Sequence, residues 1–110
     1  MLELAYFMKR NVYKDLGFRD AEEMGVKADL VVAITRAINA GRYSNQTEVA
    51  TRLGIDQPKV SKLLRGHFHE YSVERLMNFI ARLGLDVEIK VRRRARQGKG
   101  KLGHVHVVAA

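Results

Sequence analysis

The sequence predicts a mainly α fold: a bundle of short helices followed by a C-terminal β-strand that pairs in a dimer, with a further strand available in the tail. Three observations carry this. Between residues 20 and 84 apolar residues recur at three- and four-residue spacing, in pieces that open on Asp, Asn or Ser and close on Gly. From residue 86 the period becomes two. The chain has 110 residues, 46% of them hydrophobic and 29% charged, which suits one soluble domain with a modest core.

The first helix is expected from Asp20 to Gly41. Asp20-Ala-Glu-Glu23 has the form of a capping box with Asp as the cap, and Met24, Ala28, Val31, Ile34 and Ile38 form its apolar stripe. Gly41 supplies the stop, and Gly25 is expected to weaken or kink the first turns. A second helix opens at Asn45-Gln-Thr-Glu48, buries Val49, Ala50 and Leu53 on one face, and ends at Gly54 after two turns. The third piece begins around Pro58, the only proline. Proline lacks an N–H, and the first turn of a helix does not need one, so "DQP" (56–58) reads as a helix start with Asp56 or Gln57 as its cap. Ser72 is placed to cap a fourth helix with a Val73, Leu76, Ile80, Leu83 stripe closed by Gly84. Phe68, Tyr71 and Phe79 are expected to pack the core.

In Asp86-Val-Glu-Ile-Lys-Val-Arg92, Val87, Ile89 and Val91 share one side, and "HVHVV" at 104–108 is the available partner in the same chain. One or two strands after a helical domain are marginal alone, and an apolar edge invites pairing with another chain. Val87, Ile89 and Val91 are therefore expected to form a homodimer contact; a strand lying on its own helices is the alternative. The organisation is an arm, 1–19; a helical domain, 20–84; and C-terminal strands with a basic tail, 85–110.

Charge is unevenly placed. Lys and Arg number 20 against 12 Asp and Glu, a net +8. Residues 1–40 sum to zero, 41–67 to +3, 68–91 to −1, and 92–101, "RRRARQGKGK", to +6. Such a block attracts polyanions but is also common as a solvated tail. The longest apolar runs are five residues, far short of the roughly 20 that span a bilayer, and the charges around the first run are in the wrong order for a signal peptide. With no cysteine there is no disulfide or thiolate metal site, and the cytoplasm is the default location.

The second and third helices together satisfy the demands of a helix-turn-helix, whose second helix enters the DNA major groove. A small residue stands where the helices cross, Ala50, and Gly54 stands where the turn needs positive φ. Val49, Leu53, Ile55, Val60 and Leu63 join the pair to the domain, while Gln46, Thr47, Gln57, Lys59, Ser61, Lys62 and Arg65 face the other way. Two core helices with an ordinary turn are the bland alternative. His67, just after the third helix, reads as a loop residue near the DNA backbone, and Arg92, Arg93 and Arg94 as further phosphate contacts. His104 and His106 share a strand face but lack the other ligands of a metal site, so no metal or cofactor is expected. No G-x-S-x-G, H-E-x-x-H or phosphate-binding glycine loop is present, and no enzyme is expected.

The stretch "QTEVATRLGIDQPKVSKLLRG" (46–66) resembles the Xre/Cro/cI-type helix-turn-helix of phage repressors and bacterial regulators. "NVYKDLGF" with "DAEE" (11–23), "SVERLMNFIARLG" with "DVEIKVR" (72–92) and the closing "VVAA" are similar to a narrower group of small Xre-type regulators that includes HigA-like antitoxins. The resemblance implies a lambda-repressor-like bundle of five short helices, the fifth falling around 9–16, with an irregular N-terminal arm as the alternative. It also implies roles. Gln46 would bond a phosphate and brace the reading residue; Gln57 would read a base edge, most naturally adenine; Pro58 would offer only apolar contact, fitting a thymine methyl; and Lys62 would donate to guanine. Lys59, Ser61 and Arg65 would be phosphate contacts. Three functions follow as expectations: a dimeric repressor on an inverted repeat, an antitoxin that also binds a toxin protein, or an RNA- or nucleoid-binding protein acting through the basic block. Double-stranded DNA is the expected partner in the first two, and no membrane in any.

Overall fold

A computed structural model describes residues 19–93 and 103–108, and the expected arm and fifth helix before residue 19 lie outside them. Four helices are seen there: α1 (Arg19–Ala40), α2 (Gln46–Leu53), α3 (Gln57–Leu64) and α4 (Val73–Arg82). The packing is two-tiered, with α1 lying chiefly on α4, and α2 chiefly on α3.

The long helix α1 departs from expectation in two ways. Asp20 lies inside it, so it does not serve as the cap. The fully buried residues are Val26, Leu30, Val31, Ile34 and Ala37, whereas Met24, Ala28 and Ile38 are only half-buried. Val31 and Ile34 of the expected stripe are buried as read, but the helix is rolled so that Val26, Leu30 and Ala37, rather than Met24, Ala28 and Ile38, complete the face that meets its neighbours. Nor does Gly25 break it: the helix runs on through this position, and a Cβ added there would meet nothing within 4 Å. Gly25→Ala is accordingly expected to raise the unfolding free energy by about 0.5–1 kcal/mol, read from the urea midpoint.

The other helix ends form as their local chemistry predicts. The Asn45 side chain accepts the Glu48 N–H (3.0 Å), and the Glu48 carboxylate in turn accepts the Ser44 N–H (2.7 Å). Gly54 takes the left-handed conformation at φ 74°, and its N–H donates to the Ala50 carbonyl at 2.8 Å, closing α2. Ser72 Oγ accepts the Arg75 N–H (3.0 Å) to open α4, and Gly84 follows its last turn.

One core joins the four helices. Ile34 of α1, Val60 and Leu63 of α3 and Leu76 of α4 are wholly enclosed, with Val49, Ala50, Leu53 and Phe79 beside them. Tyr71 packs edge-on against Phe79, ring centroids 5.5 Å apart, while Phe68 and Tyr71 themselves are half-buried. Burial first, then the Glu70 charge, push the Tyr71 phenol above its ordinary pKa, with Arg75 opposing. The buried cation of the core is Lys27: its Nζ donates to the His69 carbonyl (2.9 Å) and lies 3.6 Å from Glu23. A buried ammonium needs such partners, and these tie the loop after α3 to α1.

The expected strands are not seen among the described residues. Residues 85–93 are exposed and carry no ladder, because "HVHVV" is engaged elsewhere. The Val105 N–H donates to the Glu22 carboxylate (2.7 Å), and Val105 and Val107 pack against the core. His104, His106 and Val108 point outward, so the alternation is kept but its inner face meets helices, not a strand.

Candidate nucleic-acid interface

The interface is set by how α3 begins and which way it faces. Asp56 is the N-cap with extended backbone, and Gln57 and Pro58 are the first two helical residues. The Asp56 side chain makes no capping bond; its carbonyl instead accepts the Lys59 and Val60 N–H groups (2.9 and 3.1 Å). Proline in the first turn thus leaves no broken bond. At the far end Gly66 (φ 98°) and His67 close α3, their N–H groups donating to the carbonyls of Leu63 and Lys62 (3.1 and 2.9 Å). This is a Schellman closure, and it directs the chain away after Arg65.

Between these ends Val60 and Leu63 are fully enclosed. At about 100° per residue the opposite side of α3 is centred on Pro58, Lys62 and Arg65, flanked by Gln57 and Ser61 on one edge and Lys59 on the other. All of these are exposed except Ser61, which is half-buried. Gln46 and Thr47, opening α2, are exposed as well, as are His67, Arg92 and Arg93; Arg94 lies outside the described residues. Val87, Ile89 and Val91 are exposed beyond α4.

Two of these side chains meet directly. Gln57 Nε2 donates to Gln46 Oε1 at 2.8 Å, across the turn between α2 and α3. A primary amide has two N–H donors and one acceptor oxygen. After this bond Gln57 keeps one N–H and its Oε1, and Gln46 keeps both of its own N–H groups. The first set matches the N7 acceptor and N6 donor of adenine, and the second suits a phosphate oxygen.

Two basic side chains adjoining the motif are held by contacts of their own. The Arg52 guanidinium stands over the Tyr43 ring, 5.9 Å from its centroid. Arg82, bonded to Asn78 (2.9 Å), has its Nη1 3.7 Å from where a Cβ on Gly54 would lie, beside the turn of the motif. Among the described residues no three His, Asp or Glu side chains group as metal ligands, and no helix is long and apolar enough to cross a membrane.

Two short helices packed on each other with Ala50 buried in the first, a left-handed glycine between them and a polar outer face on the second define a helix-turn-helix DNA-binding protein. The helix-turn-helix domain family matches residues 12–92. A solved structure described as "Putative XRE Family Transcriptional Regulator" is 42% identical, covering 83% of this chain and 99% of that one, with a TM-score of 0.73. The chain belongs to the Xre-type helix-turn-helix regulators. No curated protein matches it.

Proposed function

We propose that the protein is a transcriptional repressor that binds an inverted-repeat operator as a homodimer, with α3 of each subunit in the major groove. The observation that carries this reading is the braced Gln57, held by Gln46 with an adenine-matching pair of groups left over at the leading edge of α3. Pro58 beside it presents an apolar surface to a thymine methyl, and Lys62 a donor to guanine. Gln46, Thr47, Lys59, Ser61, Arg65 and His67 supply phosphate contacts around them, and these set register rather than sequence. Two such subunits related by a two-fold axis read half-sites about 10 bp apart, or a multiple of that.

Selection from a random DNA pool tests the reading: an inverted repeat should emerge, and a pool that yields no consensus would overturn it. The basic block should act differently from α3. Replacing Arg92, Arg93 and Arg94 by Gln is expected to weaken selected and unrelated DNA alike. The logarithmic salt slope should fall by about 0.9 for each phosphate that is no longer neutralised, measured by anisotropy titration across a salt series. An effect on the selected site alone would assign these arginines to base reading.

The HigA-like resemblance adds an antitoxin role, with a toxin as second protein partner. Co-purification of this chain with the product of an adjoining reading frame, and relief of that product's toxicity by co-expression, checks it.

A further inference from the structure

Residues 86–92, Asp-Val-Glu-Ile-Lys-Val-Arg, have a symmetry that the helical domain does not use. Acids occupy positions 86 and 88, bases 90 and 92, and Ile89 is the centre. The segment follows α4, and all of 85–93 is exposed without a ladder partner among the described residues. Val87 is 39% exposed, Ile89 49% and Val91 84%. The groove between the segment and α4 has a mixed lining, Met77, Ala81, Leu85, Val87 and Ile89 alongside polar residues that include Arg75 and Asn78, so Val87 and Ile89 border open space. A run of β-branched residues with unpaired backbone groups is a template for another strand.

We propose that the occupant is a second copy of this segment, paired antiparallel about a two-fold axis through Ile89. The proposal rests on the homodimer reading and adds its geometry. In this register Val87 lies opposite Val91 of the second copy, and Ile89 opposite Ile89, which gathers the apolar residues on one face. On the other face Asp86 meets Arg92 and Glu88 meets Lys90, each pair occurring twice by symmetry.

Other registers lose this match. Parallel, in-register pairing sets Asp86 on Asp86 and Lys90 on Lys90, and like charges directly opposite are destabilising. Centring on Val87 sets Asp86 against Glu88, and centring on Val91 sets Lys90 against Arg92. A one-residue slip puts charged side chains among the apolar ones. The charge order therefore selects one axis, which would also relate the two α3 helices as a palindromic operator requires.

Charge exchange tests the pairing. Glu88→Lys alone sets two bases against each other at both symmetric positions, and Lys90→Glu alone sets two acids. Each should raise the dimer dissociation constant at least roughly tenfold at low salt, by sedimentation equilibrium. Mixed in equal amounts, the two variants should associate as a heterodimer at near wild-type strength. The chain has no cysteine, so Ile89→Cys should give a disulfide-linked dimer on oxidation. Val87→Cys should not, because its two copies would stand about 14 Å apart, beyond disulfide reach. A wild-type dimer with no cross-link at position 89 and no preference for the mixed pair overturns the register while the homodimer stands. A chain that stays monomeric at millimolar concentration overturns the homodimer itself.

Discussion

Leu63→Ala is expected to lower the unfolding free energy by about 2–5 kcal/mol, whereas its neighbour Lys62→Ala changes it by less than about 0.5 kcal/mol. Leu63 is wholly enclosed on the inner side of α3, in the cluster that joins all four helices. Removing its three outer carbons leaves a cavity where α3 meets the rest of the domain, and such a core collapses only in part. A domain of this size holds about 5–15 kcal/mol in total, so the loss is a large share of it. Lys62 is exposed on the opposite side of the same turn, with no partner whose loss would strain the fold. Urea denaturation followed by circular dichroism measures both variants. Their DNA binding should divide the other way: Leu63→Ala recovers binding on cooling as the domain refolds, while Lys62→Ala stays weak at every temperature with its helices intact. Unfolding by Lys62→Ala would mean that the faces of α3 have been assigned in reverse.

Much of this domain was legible because its signals are local. Asn45, Ser72, Gly54 and Gly84 act on groups three or four residues away, so the sequence carries both partners within one window. The same holds for Pro58, where the remaining ambiguity resolves to Asp56 as cap through its backbone carbonyl. The errors lie where partners are distant. In α1 the expected and observed faces share Val31 and Ile34, and contact with α4 decides which of the apolar residues on either side of them are buried. Lys27 sits one turn before Val31, on a position that periodicity assigns to the core, and is accommodated there by Glu23 one turn away and by a carbonyl 42 residues away that spacing does not signal. Among the described residues the segment 86–92 has no strand partner, and Val105 and Val107, the partner that alternation offers, pack on the helical core, with the Val105 N–H bonded to Glu22 83 residues away. The Gln46–Gln57 bond joins residues eleven apart, and spacing gave no sign of it. Family resemblance suggested that brace, and the turn geometry at Gly54 supplies it.

Gln57→Ala should weaken the selected operator by about 1–3 kcal/mol, roughly five- to 150-fold, and relax preference at a single base pair of each half-site. The loss has two sources that can be separated. One is the proposed pair of hydrogen bonds to a base edge; the other is the orientation that Gln46 imposes through the 2.8 Å bond. Gln46→Ala keeps the Gln57 amide but frees it to rotate, and also removes the proposed phosphate donor, so it should weaken cognate and non-cognate DNA together and cognate DNA more. Because the two amides act as one unit, the double variant should lose less than the sum of the single losses, with a coupling of about 0.5–3 kcal/mol by double-mutant cycle. Gln57→Glu gives a sharper outcome. A carboxylate has acceptors only, so it can neither match adenine N7 nor donate to Gln46, and it favours a cytosine amino group instead. Reselection with that variant should move the preferred base at one position per half-site toward cytosine and leave the others unchanged. An unchanged consensus would show that Gln57 braces the turn without touching a base, and would pass the reading of sequence to Pro58, Lys62 and Arg65 at the centre of the exposed face.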